Sequence, residues 1–196
     1  MSFDNLLRVD TRKAGEEGDA HGRQDARRRV LALALGLLRR LVAMRRRLGD
    51  SEEGILIAQS NLASTYKMLG RLEQALSVRR DTYSGWLKLK GGGDESTLLA
   101  ACNYSATLLD LQRFGKAKAL LRKTMPVVRR VLGDSHETML RTRWIYVDAL
   151  YWDPAATLDE LREAVETCED NERIARRVLG GAHPLVNAIG RSLKNS

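Results

Sequence analysis

The sequence contains an internal repeat with a period of 42 residues, the distance from Gly49 to Gly91 and from Gly91 to Gly133. A second column of the repeat holds larger apolar residues: Tyr66, Leu108 and Leu150. A fixed period of this length is typical of solenoids, whose units are too small to bury their own apolar faces and therefore stack on their neighbours. We expect a recognition protein rather than an enzyme, because such arrays present a long concave surface to a partner.

Each period contains two helical segments separated by a short break. The predicted first helices are 53–69 and 95–111, and the predicted second helices are 71–90 and 114–132. The third unit starts at His136 and carries an insertion, 152–156, between its two helices. A further second helix is predicted at 25–48, where apolar residues cover so wide a face that we expect it to pack on two sides.

Composition and periodicity together predict an all-α fold, a solenoid of helical hairpins. Aromatic residues make up only 5% of the chain, whereas Leu, Ala and Arg, which favour helices, are abundant. Residues 1–25 contain three glycines among mixed charges and are expected to form a mobile tail, with the array at 26–196. The predicted divisions of the array are a half unit at 26–49, units at about 50–91, 92–133 and 134–180, and a half unit at 181–196.

Short motifs identify the type of repeat. They are NLA at 61–63, GRLEQA at 70–75, LGD at 48–50 and VLGDSH at 131–136. As a set they resemble the 42-residue tetratricopeptide repeats of kinesin light chains, over residues 26–193. The resemblance implies a right-handed superhelix whose concave groove is lined by the first helices. HEAT and armadillo arrays have overlapping periods, but the early Ala of each second helix favours the tetratricopeptide type.

The resemblance also implies that a groove Asn in each unit contacts an extended cargo peptide. Only Asn61 and Asn103 stand at that position, each one residue before the buried stripe and so rotated by about 100° from it. Arg141 lies one turn before Ile145, the third unit's residue at the Asn position, and adds positive charge there. We therefore predict a peptide-binding groove formed by Asn61, Asn103, Arg141 and Trp144, with an extended acidic peptide as partner.

The sequence departs from the family pattern in places. Gln112 replaces a turn glycine, and Trp144-Ile145 replaces a pair of Asn. Two interpretations of Trp144 and Trp152 are open: they form an exposed aromatic anchor for a partner, or they fill space around the inserted turn.

Charge raises an alternative function. The net charge is +8, and residues 23–47 contain nine arginines against one acid, Asp25. A basic helix of this kind favours RNA or another polyanion, with Arg45, Arg46 and Arg47 as the candidate binding residues. Against this alternative, no aromatic side chain is interleaved with the arginines, and stacking is what proteins that bind single strands need.

No set of residues predicts catalysis or a cofactor. His136 and His183 occupy the same repeat position at the start of a first helix, where a side chain can cap free amides, and neither has partners at metal-ligand spacing. Cys102 and Cys168 lie in different units and are expected to be free buried thiols. We predict no enzyme activity, no cofactor and no metal site.

The sequence also bears on cellular location. The longest apolar run, 30–38, is far shorter than the roughly 20 residues of a membrane span. The first residues are acidic and lack the apolar region of a signal peptide, so we predict a cytoplasmic protein with no membrane partner. A half unit at each end also fits a piece of a larger regulator, such as a nucleotide-switch ATPase with a repeat array, and the oligomeric state is open.

Overall fold

The structure, a computed structural model, describes residues 20–194 and the side chains of residues 22–190. This part of the chain contains eight α-helices and no strand. The helices are α1 (Ala20–Arg47), α2 (Glu52–Met68), α3 (Leu72–Lys90), α4 (Glu95–Asp110), α5 (Phe114–Leu132), α6 (Glu137–Tyr151), α7 (Leu158–Leu179) and α8 (Pro184–Lys194). The predicted all-α class of helical hairpins is confirmed, with α2, α4, α6 and α8 as first helices and α1, α3, α5 and α7 as second helices.

The boundaries of the helices agree closely with the sequence pattern, with one correction at the start. Helix α1 begins at Ala20, so residues 20–25, which were expected to belong to a mobile tail, are helical. The rest of the predicted tail, residues 1–19, lies outside the described residues. The inserted residues 152–156 lie in the connection between α6 and α7, as expected.

The starts of the first helices are capped by side chains, as the repeat position of His136 predicts. The imidazole Nδ1 of His136 accepts a hydrogen bond from the amide of Thr138 at 3.2 Å, and Nδ1 of His183 accepts one from Leu185 at 3.2 Å. Asp94 caps α4 in the same way through its carboxylate. These side chains accept hydrogen bonds from amides that have no partner inside their own helices. Capping accounts for the positions of both histidines without a catalytic or metal-binding role.

The chain divides into two compact units, one ending at Ala75 and the other beginning at Leu76. In the first unit α1 packs on α2. In the second unit α6 packs against α4, α5, α7 and α8, and its Tyr146 and Leu150 are completely enclosed. The predicted packed column of Tyr66, Leu108 and Leu150 is buried at all three positions.

Against the described residues, helix α1 packs on one side only, whereas packing on two sides was expected. Its buried side chains are Leu31, Leu35, Leu38 and Val42. A second set of large apolar side chains on the same helix is 50–75% exposed: Val30, Leu33, Leu37, Met44 and Leu48. No described residue covers this second face.

The turn between α4 and α5 contains a backbone conformation that favours glycine. Gln112 has φ 56°, and its counterpart between α2 and α3, Gly70, has φ 73°. A side chain in this left-handed region costs roughly 1–2 kcal/mol, which glycine avoids.

We predict that Gln112→Gly raises the free energy of unfolding by about 0.5–1 kcal/mol, because relief of the backbone strain exceeds the extra chain entropy that glycine loses. Urea titration followed by circular dichroism measures the change. The control Gln74→Gly lies inside α3 and should instead lower stability by about 1 kcal/mol. Equal destabilisation by both changes would show that Gln112 is not strained.

Candidate peptide-binding groove

The structure places the four predicted groove residues on three first helices. Asn61 lies on α2 in the first compact unit, whereas Asn103 on α4 and both Arg141 and Trp144 on α6 lie in the second. All four side chains are half-buried. This intermediate exposure is what a residue beside a buried stripe has, and it leaves each side chain partly accessible.

The two asparagines share a backbone environment. The carbonyl oxygen of Asn61 accepts a hydrogen bond from Thr65 Oγ1 at 3.1 Å, and that of Asn103 accepts one from Thr107 Oγ1 at 3.1 Å. Within the described residues, neither side-chain amide makes a hydrogen bond. Each amide therefore keeps its donors and its acceptor available for a ligand.

Two arginines act on the segment of α4 that contains Asn103. Arg79 of α3 is almost completely buried and donates a hydrogen bond from Nη1 to the carbonyl oxygen of Asn103. Arg141 makes no ion pair among the residues that the structure describes. Burial raises the pKa of the neighbouring Cys102 thiol, and the positive charges of Arg141 and Arg79 act in the opposite direction. Both charges therefore act at the same short segment of α4.

The third unit does not offer a polar residue at the Asn position. Ile145 is only 4% exposed and belongs to the main apolar core of the second unit. Trp144 packs against the same core, so it fills space there while part of its surface stays accessible. Trp152 differs, since it is 56% exposed and contacts Tyr151 edge to face, with ring centroids 5.0 Å apart.

The candidate polyanion residues lie at the end of α1. Arg45 is half-buried and pairs with Asp50 at 2.9 Å, whereas Arg46 and Arg47 are exposed. One of the three charges is therefore neutralised within the chain, and two point to solvent.

A buried ion-pair network, which the sequence did not suggest, holds the inserted turn. The ammonium group of Lys118 on α5 lies 2.8 Å from a carboxylate oxygen of Asp153 and 3.1 Å from one of Glu160. Arg122 pairs with Glu160 at 2.9 Å. The hydrogen bond to Asp153 raises the pKa of Lys118, and the bonds from Lys118 lower the pKa values of Asp153 and Glu160.

Arg79 and Lys118 each stand in a repeat column that is otherwise apolar, which becomes visible only when the units are aligned. The repeat column of Arg79 otherwise holds Leu37, Leu121 and Cys168, allowing for the insertion. The column of Lys118 otherwise holds Ala34, Leu76 and Val165. A charged residue in an apolar column predicts a buried charge with a dedicated partner, because an unpaired one would be costly.

The described residues offer no arrangement typical of catalysis. Cys102 and Cys168 are free and buried, and desolvation raises the pKa of Cys168 to about 11, so its thiol is not activated. Within residues 20–194 no three His, Cys, Asp or Glu side chains converge as a metal site would require. None of the described helices is both long enough and apolar enough to span a bilayer.

Comparison with known proteins bears on the fold. Residues 97–138 match the family model of the tetratricopeptide repeat. The fold is similar to that of a Podosopora anserina protein described as a kinesin light chain with nearly identical TPR-like repeats, at 21% identity over 88% of this chain and 80% of that one, with TM-scores of 0.70 for a point variant and 0.68 for its parent.

A third similar fold is BtubC (BKLC) from P. vanneervenii, with a TM-score of 0.52 and 11% identity over 84% of this chain and 71% of that one. No curated protein sequence matches the chain. The predicted resemblance to tetratricopeptide repeats is confirmed, and the fold is that of TPR-like helical repeats.

The Lys118 network predicts how stability depends on pH. Because the pKa values of Asp153 and Glu160 are lowered, their contribution is present above the ordinary carboxyl pKa and is lost as the pH falls through the lowered values. Because the pKa of Lys118 is raised, its contribution is present below the ordinary ammonium pKa and is lost as the pH rises through the raised value.

We therefore expect Lys118→Met to lower the thermal midpoint at neutral pH and to flatten the loss of stability in acid. Thermal unfolding between about pH 3 and pH 8 measures both effects. Lys116→Met, on the exposed side of the same helix, is the matched control and should change neither. An unchanged acid profile in the Lys118 variant would contradict the network.

Proposed function

We propose that this chain of tetratricopeptide-type repeats is a non-catalytic scaffold that binds an extended acidic peptide along its first helices. The fold supports a protein-interaction role in general, because helical-repeat proteins of this type act through surfaces rather than through reactive groups. The proposal is more specific than this general role in naming an acidic peptide as the ligand and a groove as its binding site.

The observation that carries the proposal is the environment of Asn103. Its side-chain amide has no partner among the described residues, Arg79 donates a hydrogen bond to its carbonyl oxygen, and the charge of Arg141 acts on the adjacent Cys102. An amide can both donate to and accept from a peptide backbone, whereas a guanidinium group binds a carboxylate through two parallel hydrogen bonds. A peptide that has an exposed backbone and an acidic side chain satisfies both groups at once.

Arg79 and Arg141 have different parts in this proposal. Arg79 is almost completely buried and donates a hydrogen bond to a backbone carbonyl. It therefore supplies a positive electrostatic potential at a fixed position. Arg141 is half-buried and makes no ion pair within residues 22–190, so it is the group that contacts the ligand carboxylate directly. Charge-assisted hydrogen bonds of this kind contribute about 1.5–3 kcal/mol.

Asn61 and Trp144 are the other two residues of the proposal. Asn61, in the first compact unit, repeats the chemistry of Asn103, with an unpartnered side-chain amide and the same Thr bond to its carbonyl. Trp144, one residue before Ile145, offers a partly accessible indole, which suits an apolar or aromatic side chain of the peptide. We place the protein in the cytoplasm, a reducing compartment in which the buried thiols of Cys102 and Cys168 stay free.

We predict that a random peptide library selected on the protein becomes enriched in acidic, extended sequences. The double change Asn61→Ala/Asn103→Ala should weaken the best peptide by about tenfold or more, and so should Arg141→Ala alone, because each removes about 1.5 kcal/mol or more of hydrogen bonding. Fluorescence anisotropy with a labelled peptide measures both affinities.

The matched controls are Gln24→Ala/Gln74→Ala for the amides and Arg80→Ala for the charge, all exposed residues of second helices. They should leave the affinity unchanged. The groove is wrong if acidic peptides are not enriched, or if the Asn variants bind the selected peptide as well as the wild type does.

A further inference from the structure

The exposed apolar face of α1 corresponds to a surface that the other second helices bury. We define the α1 stripe as Val30, Leu33, Leu37, Met44 and Leu48, which are 50–75% exposed. At three of these positions, every later unit has a buried counterpart. The columns are Leu33 with Ala75, Ala117 and Ala164; Leu37 with Arg79, Leu121 and Cys168; and Met44 with Trp86, Val128 and Ala175. All nine counterparts are buried.

Helix α5 shows what normally covers these positions. Ala117 clusters with Leu108, and Leu121 clusters with Cys102. Farther along the helix, Val128 clusters with Leu98 in the same way. These three partners belong to α4, and the same clusters also contain Ala149, Leu140 and Met139 of α6. The α1 stripe therefore stands in repeat columns that α5 packs against first helices.

Helix α1 is continuous where the other hairpins have a turn. The turns 69–71 and 111–113 connect first to second helices, and the corresponding residues 27–29 lie inside α1. Helix α1 has 28 residues, whereas α3 and α5 have 19 each. The extra residues extend α1 beyond the stripe by about 15 Å at 1.5 Å per residue.

Charge identifies the kind of helix that fits. Arg29, Arg40 and Arg47 are exposed and lie on one side of α1 along a border of the stripe, since they stand 11 and 7 residues apart. Residues 23–47 contain nine arginines and a single acid. An apolar seam bordered by positive charge is complementary to an amphipathic helix whose leucine-type face is bordered by Asp or Glu.

We propose that the α1 stripe docks an acidic amphipathic helix of a partner protein. A second copy of this chain fits poorly, because pairing two α1 helices would bring their arginines together. RNA would use the arginines but leave the leucines exposed to water, and no aromatic residue of α1 is available for stacking. A contiguous set of exposed apolar side chains is typical of an interaction site.

The test uses two designed peptides and the full chain. Both peptides are 20-residue amphipathic helices with leucines at i, i+3, i+4 and i+7, one bordered by Glu and the other by Lys. We expect the Glu peptide to bind at least about tenfold more tightly than the Lys peptide, and its affinity to fall with added salt. Fluorescence anisotropy measures the affinities, and circular dichroism confirms that each protein variant is folded.

Two sets of variants separate the contribution of the α1 stripe from that of the arginines that border it. Leu33→Ser/Leu37→Ser should weaken the Glu peptide by about tenfold or more, and Arg40→Glu/Arg47→Glu should reverse the preference toward the Lys peptide. The control Val131→Ser/Leu158→Ser removes exposed apolar side chains elsewhere and should change neither affinity.

Several results would overturn the proposal. These are equal affinity for the two peptides, no binding of the Glu peptide at about 100 μM, and binding of poly(U) or phosphatidylserine vesicles in place of the peptide. Sedimentation that shows a dimer dissociated by Leu33→Ser/Leu37→Ser would assign the stripe to a second copy. A several-fold gain in peptide affinity on Leu6→Ser/Leu7→Ser would assign it to the chain's own N-terminal segment.

Discussion

The packing of a second helix on the first helix of its own hairpin, α5 on α4 and α7 on α6, is the contact on which the second compact unit depends. In α5 it is formed by Ala117, Leu121 and Val128 against α4, and all three side chains are almost completely buried. Small residues early in the second helix let the two backbones approach, and larger ones fill the remaining space. Helix α1 carries large apolar side chains in the same repeat columns, but there they are exposed and no described residue covers them.

Charged side chains that are buried in this apolar framework have partners of opposite charge or backbone acceptors. Arg79 donates to a backbone carbonyl, and Lys118 is held between Asp153 and Glu160. A buried charge without such partners would be strongly destabilising. The two sites have different consequences, because the Lys118 network fastens an inserted turn, whereas Arg79 places positive charge beside the Asn103 amide.

Much of the fold could be read from the sequence, whereas little of the candidate site could. The boundaries of α5 and the capping roles of His136 and His183 follow from residues that are close in the chain. The free thiols of Cys102 and Cys168 follow from their positions in the repeat. The partner of Arg79 could not be predicted. Asn103 is 24 positions farther along the chain, on the first helix of the next hairpin, and no local pattern specifies that contact.

The sequence by itself determined the helices, their order and their caps, because a helix and its first free amides depend on residues within a few positions of one another. Only the tertiary structure decided which faces are covered. It buried Ile145 at a position where two other units hold Asn, and it left Leu33 and Leu37 exposed on a helix expected to pack on both sides. The physical reason is that a helix face becomes buried only when another element packs against it. A periodic pattern of apolar residues shows that a face needs such a neighbour, but not whether one is present.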